Sequence, residues 1–128
     1  MKERLLGYSV QTQPLQDFAK QLFSDVFQAE CGNAPARWLA CLNPHSYAVA
    51  RHDKAFAHSL RAADWLVPDG AGILLGSRLL GGTIRHRITG SDVFALMHQQ
   101  MNAQANSNHC SVFFLGASEQ TLGQIRKR

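Results

Sequence analysis

The spacing of apolar and polar positions changes period several times along the chain, and each change marks an element. Leu5 to Val10 has the apolar, β-prone character of a short strand. Pro14 then suits the first turn of a helix, where a missing N–H costs nothing. Leu15, Phe18, Ala19, Leu22 and Val26 recur at helical spacing and predict one buried stripe. Cys31-Gly32-Asn33-Ala34-Pro35 carries turn chemistry that would end this helix. Arg37 to Leu42 reads as a short buried strand, followed by an Asn43-Pro44-His45 loop. Helical periodicity runs from Ser46 to Ala63, with a bend near Asp53 and with Phe56, Leu60 and Ala63 facing inward. Asp64 to Val67 predicts a second short strand, ending at Pro68-Asp69-Gly70. Gly72 to Leu80 reads as helix, stopped by Gly81-Gly82. Thr89 or Ser91 stands where it would cap a helix with Val93, Met97 and Met101 on its inner face and Phe94 alongside. Polar Asn102 to His109 reads as a loop. Ser111 to Leu115 is the clearest strand pattern of all, Gly116 breaks it, and Ser118 begins a last helix.

Strands alternating with helices predict an α/β fold, a Rossmann-like parallel sheet with helices on both faces, formed by residues 1–128 as a single domain. The sequence stops inside a helix, directly after its best strand, whereas a strand buried on both faces normally has further neighbours. The expectation is the N-terminal part of a longer α/β domain, truncated here.

Composition narrows the class. Apolar residues at 45% with charged residues at 17% describe a globular chain and exclude a disordered one. The apolar run Ala71 to Leu75, broken by Gly72, falls far short of a bilayer span, and the N-terminus lacks the apolar stretch of a signal peptide. Cys31, Cys41 and Cys110 are odd in number and have no Cys-x-x-Cys spacing, which fits a reducing cytoplasm rather than disulfides or zinc. The histidines show no ligand spacing, so neither a metal nor a cofactor is expected.

The net charge of +4 is unevenly placed. Residues 1–75 are balanced, and residues 76–128 hold six basic residues against Asp92 and Glu119. Such an excess fits a solvated basic face or an anionic partner: phosphate, pyrophosphate, nucleic acid or a lipid head group. The tyrosines and tryptophans do not interleave with the basic residues, so no nucleic-acid partner is expected.

In open α/β sheets, ligands bind at the carboxyl ends of the strands. Asp69 stands at such an end between a rigid proline and a permissive glycine. A carboxylate there serves as general base toward a hydroxyl or as a sugar ligand; equally, Pro-Asp-Gly is ordinary turn sequence. Asn43 fits a contact to a ligand hydroxyl or amide, or a helix N-cap, and His45 a donor to a phosphate or a surface residue. Cys41 reads as a small core residue. Arg85-His86-Arg87 precedes Thr89-Gly90-Ser91-Asp92, and an arginine beside a helix N-terminus suits a phosphate or a soluble surface. Gly116-Ala117-Ser118 would let a nucleotide approach closely, although the dinucleotide and Walker A fingerprints are missing.

Taken in order, these motifs are not independent. Leu42-Asn43-Pro44-His45-Ser46, Asp53, Phe56, Ala63 through Gly72 with Pro68-Asp69-Gly70 inside it, Arg78, Arg87-Ile88-Thr89-Gly90-Ser91-Asp92 and Phe113-Phe114-Leu115-Gly116-Ala117 together resemble the WecG/TagA/CpsF family of bacterial glycosyltransferases. The resemblance covers roughly residues 37–128. It implies a Rossmann-like fold and inverting transfer of N-acetylmannosamine, its uronic acid, glucose or a similar hexosyl group from a UDP-sugar. The acceptor it implies is an undecaprenyl-diphosphate-linked saccharide at the inner face of the cell membrane, used in cell-surface polysaccharide synthesis. It further implies Asp69 as catalytic base and Arg87 near the donor or acceptor phosphates. Asn43 matches the asparagine of a Thr-x-Asn pocket motif whose threonine position is Cys41 here. Gly70, Gly90, Asp92 and Gly116 join the implied substrate-binding set. Peripheral membrane association and a homo-oligomer accord with the resemblance. The other reading is an inactive truncated α/β remnant that binds only a phosphate ligand or a protein.

Overall fold

The computed structural model describes residues 1–27, 35–103 and 111–126. Cys31 and Cys110, most of the turn at Cys31–Pro35 and of the loop at Asn102–His109, and Lys127 and Arg128 lie outside the described residues.

The chain opens with a hairpin, β1 (Lys2–Leu5) and β2 (Tyr8–Gln11), paired antiparallel with Leu5 opposite Tyr8. The single strand expected over Leu5 to Val10 is therefore incorrect. Leu6 and Gly7 both take positive φ (51° and 84°), the two-residue turn that matches strand twist. Nothing in an apolar Leu6 signals that conformation, so the turn was hidden inside a β-prone run.

Helix α1 (Leu15–Phe27) follows Pro14, whose carbonyl accepts the Phe18 N–H at 3.0 Å. Phe18, Ala19, Leu22 and Phe23 form its buried stripe, while Val26 is exposed, contrary to the helical spacing that placed it inside.

The centre of the fold is a parallel pair, β3 (Leu39–Leu42) and β4 (Trp65–Pro68), in register Leu39 to Trp65 through Leu42 to Pro68. Two helices connect them: α2 (Pro44–His52) and α3 (Lys54–Ala62). The bend expected near Asp53 is a break. Asp53 is extended, ends α2 with its own N–H on the Val49 carbonyl, and caps α3 by accepting the Phe56 N–H at 2.9 Å.

Side chains alternate across this pair and build two cores. Ala40, Leu42 and Leu66 face one way, toward Tyr8 and Val10 of the hairpin, Ala50 and Tyr47 of α2, Ala57 and Leu60 of α3, and Ile73 of α4 (Ala71–Leu79). Leu39, Cys41, Trp65 and Val67 face the other, toward Phe18 and Leu22 of α1 and Val93 and Met97 of α5 (Gly90–Ala103). The fold is α/β, and helices cover both faces of the parallel layer. Burying β4 on both sides explains its unbroken apolar sequence.

The described sheets have two strands each, fewer than the Rossmann-like sheet expected. The missing member is Ser111 to Leu115, which is irregular, with Phe113 and Leu115 85% and 93% exposed. A strand needs a neighbour to take its N–H and C=O groups, and no neighbouring strand among the described residues pairs with this run. Helix α6 (Glu119–Arg126) follows, where a final helix was expected.

Candidate functional site

Two strand ends and one helix start meet at the carboxyl edge of the parallel pair. The Asp69 N–H donates to the Leu42 carbonyl at 2.8 Å, one step beyond the last register pair. That bond sets Asp69 beside Asn43, and both side chains are half-buried. Gly70 follows with φ of 92°, a value that L side chains rarely adopt, and starts α4. A Cβ on Gly70 would stand 3.5 Å from Pro44 Cδ and 4.0 Å from Asn43 Cβ, so the two loops are in contact. Gly72 fits more tightly still: a Cβ there would lie 2.6 Å from Pro44 Cγ.

Asn43 is the N-cap of α2. Its Oδ1 accepts the Ser46 N–H at 2.8 Å, and the Ser46 hydroxyl accepts the Asn43 N–H at 2.8 Å, a reciprocal capping box. The cap and the ligand contact are compatible roles. The oxygen is committed to the helix, so a ligand would meet the amide nitrogen. Ser46 is the positioning residue that the sequence reading overlooked. Its buried hydroxyl also lies 3.3 Å from the Cys41 carbonyl, tying the strand end to the cap. The Asn43-x-x-Ser46 spacing was the available signal.

The third wall is the start of α5. Ile88 donates to the Pro68 carbonyl at 2.9 Å, which lays the preceding segment along the end of β4 and delivers Arg87 there, exposed. Thr89, not Ser91, caps α5. The Thr89 hydroxyl accepts the Asp92 N–H at 3.1 Å, and Asp92 accepts the Thr89 N–H at 3.1 Å and its hydroxyl at 2.7 Å. These bonds from Thr89, with the charge of Arg87 adding to them, hold the Asp92 carboxyl below its ordinary value. Asp92 is thus a capping residue whose negative charge already sits at the helix start. An anion arriving here depends on Arg87 to offset it.

Cys41 sits at the join. A Cβ on Gly90 would stand 3.5 Å from its sulfur. Burial pushes the thiol upward, the neighbouring Asp69 carboxylate pushes it further, and the Gly90 amide opposes both. Cys41 is a free thiol, and at neutral pH it is a neutral wall of the site.

The structure thus gathers Cys41, Asn43, Asp69, Gly70 and Gly90, with Arg87 and Asp92 at the adjoining helix start. Gly116 has a φ of 111° on an exposed loop, with nothing within 4 Å of where its Cβ would be. It takes no part in this assembly. His45 is exposed on the first turn of α2.

A protein-family model, the glycosyl transferase WecG/TagA/CpsF family, matches residues 3–128. An N-acetylglucosaminyldiphosphoundecaprenol N-acetyl-β-D-mannosaminyltransferase of Bacillus spizizenii is 28% identical over 91 residues, 71% of this chain and 34% of that protein. The transferase of the same name from Bacillus subtilis is 27% identical over 84 residues, 66% of this chain and 31% of that protein. The chain spans about a third of the length of these curated relatives. No solved structure matches it. The match of the family model across nearly every residue places this chain in the WecG/TagA/CpsF family of glycosyl transferases.

Proposed function

We propose that the chain carries the base and part of the donor-phosphate site of a glycosyltransferase. In this reading a hexosyl group, N-acetylmannosamine or a close analogue, moves from a UDP-sugar to an undecaprenyl-diphosphate-linked saccharide. The observation that supports it is the meeting of Asp69 with Asn43 and the α5 start at the end of the parallel strands.

Such a transfer needs two things at once. A base must take the proton from the acceptor hydroxyl as its oxygen bonds to the anomeric carbon, and positive charge must meet the UDP that departs with the bonding electrons. Asp69 supplies the base. Arg87 supplies the charge. Attack and departure on opposite faces of the sugar invert the anomeric centre. Asn43 Nδ2 would hold a sugar hydroxyl or carbonyl beside Asp69.

The test is transfer from UDP-N-acetylmannosamine to a lipid-diphosphate N-acetylglucosamine acceptor, comparing the unmodified protein with Arg87→Ala. A charge-assisted phosphate contact contributes about 1.5–3 kcal/mol, so turnover should fall roughly tenfold to a hundredfold. Unchanged kinetics would remove Arg87 from the phosphate site.

A further inference from the structure

The outer face of the N-terminal hairpin carries positive charge that the fold does not use. Leu5, Tyr8 and Val10 are buried, and the alternation of the paired strands turns Arg4 and Ser9, which stand opposite each other in the register, to the exposed side. Arg61 reaches over from the last turn of α3, its guanidinium 5.2 Å from the centre of the Tyr8 ring. Arg4, Gly7, Ser9 and Arg61 line one hollow of about 320 Å³. Nothing lies within 4 Å of where a Gly7 Cβ would stand, so the turn leaves that wall open.

Two guanidiniums at one hollow repel each other unless negative charge stands between them. The acids nearest in sequence are committed elsewhere. Glu3, next to Arg4 but on the other face of the strand, accepts from Ser77 at 2.7 Å and from the Thr83 hydroxyl at 2.6 Å. Asp64, three residues after Arg61, accepts the Trp38 N–H at 3.0 Å and pairs with Arg37 at 3.7 Å. Asp53 caps α3. Among the described residues neither Arg4 nor Arg61 is in an ion pair. The last turn of a helix favours a cation, which accounts locally for Arg61; Arg4, in a strand, has no such reason to be there. Lys54, two turns before Arg61 on the same stripe of α3, is exposed and adds to the positive field.

We propose that this hollow is an anion site that takes the phosphate group of a soluble phosphate monoester. A guanidinium matches two phosphate oxygens at once, so Arg4 and Arg61 hold the group from two sides and the Ser9 hydroxyl donates a third bond. Small-molecule sites occupy about 300–1,000 Å³, so the hollow has room for more than a phosphate ion and suits a compound of sugar-phosphate size. None of its four lining residues is an apolar side chain, which disfavours a lipid. None belongs to the Asp69 edge either, so the site stands apart from the phosphate contact proposed for Arg87.

The test is titration of the nitrogen-15-labelled 128-residue chain with glucose 6-phosphate, followed through its backbone amide resonances. The expected result is a set of saturable shifts at Gly7, Ser9 and their hairpin neighbours. Arg4→Gln and Arg61→Gln should each weaken binding roughly fivefold to tenfold, because the contacts are charge-assisted but exposed. Both side chains are exposed, so the circular dichroism spectrum should not change. Arg4→Lys, which keeps the charge and loses the fork, should fall between Arg4→Gln and the unmodified protein. Arg87→Ala should leave the hairpin shifts as they are. Absence of saturable shifts at Gly7 and Ser9, an equal response to acetate at matched ionic strength, or unchanged affinity in both glutamine variants would overturn the proposal. Loss of the hairpin shifts in Arg87→Ala would overturn it too, by assigning the anion to the Asp69 edge.

Discussion

The Asp69 N–H donates to the Leu42 carbonyl at 2.8 Å, and this one bond carries the parallel register past the strand ends into the site. Without it the Pro68-Asp69-Gly70 loop would be free to leave the Asn43 cap. With it, a carboxylate and a carboxamide from segments 26 residues apart share one edge. The fold thereby fixes the backbone under both groups before any ligand binds.

Asn43 has two roles that substitution can separate. Asn43→Asp keeps the capping oxygen and loses the amide donor, so stability should hold while the KM for sugar substrates rises. Asn43→Ala loses both and should also lower unfolding stability by about 1 kcal/mol. Denaturant melts alongside kinetics check this; equal kinetics in Asn43→Asp and the unmodified protein would leave the residue with the cap alone.

Gly72→Ala should be destabilising out of proportion to its size. The added methyl would sit 2.6 Å from Pro44 Cγ, and the pyrrolidine ring cannot rotate away. The α4 start or the α2 start must shift, at about 1–3 kcal/mol. Gly76→Ala, where a Cβ meets nothing within 4 Å, is the control and should be neutral or stabilising. Equal melting curves for the two variants would contradict the close approach.

Glu3 ties the hairpin to the end of α4, and its bonds predict a pH dependence. Burial alone would raise its carboxyl. Donation from the Thr83 hydroxyl and N–H, from Ser77 and from the Ile84 N–H outweighs burial and lowers it below the ordinary 4.5. A depressed carboxylate stabilises the folded state above the unfolded value and loses that contribution as pH falls through the folded one. Glu3→Gln should therefore cost roughly 1 kcal/mol near neutral pH, allowing for partial exposure. The difference from the unmodified protein should shrink as pH falls below 4.5. A difference constant with pH would contradict the assignment.

Cys41 reports the site without requiring turnover. With Cys31 and Cys110 replaced by serine, its alkylation by iodoacetamide should need a pH above that of an ordinary thiol, because burial and the Asp69 charge both disfavour the thiolate. Asp69→Asn removes the second cause and should move the alkylation profile to lower pH. An unmoved profile would separate the two residues.

The sequence made the two central strands legible because each is a short apolar run that ends in turn chemistry, Asn43-Pro44-His45 after β3 and Pro68-Asp69-Gly70 at the end of β4. It made a bend near Asp53 legible, but not that one helix ends and another starts there, because that depends on Asp53 turning extended and capping α3 with its side chain. The hairpin was not legible, because Leu6 takes a positive φ for which an apolar side chain gives no signal. Ser111 to Leu115 misled for the opposite reason. Its residues suit a strand, but strand formation depends on a neighbour, which composition does not supply. Within the site, the loops were visible as strand ends. The commitment of Asp92 and Thr89 to each other was not, since it depends on the side-chain geometry of the α5 cap.

The most direct measurement is the rate of sugar transfer by Asp69→Asn beside the unmodified protein, in the 128-residue chain and in a form extended to the length of its relatives. Asparagine keeps the shape and the Leu42 backbone bond and removes the base. The account predicts that transfer falls ~10²–10⁴-fold in the variant while its melting temperature holds. Transfer within a few-fold of the unmodified rate would contradict Asp69 as the base and, with it, the catalytic reading of this edge.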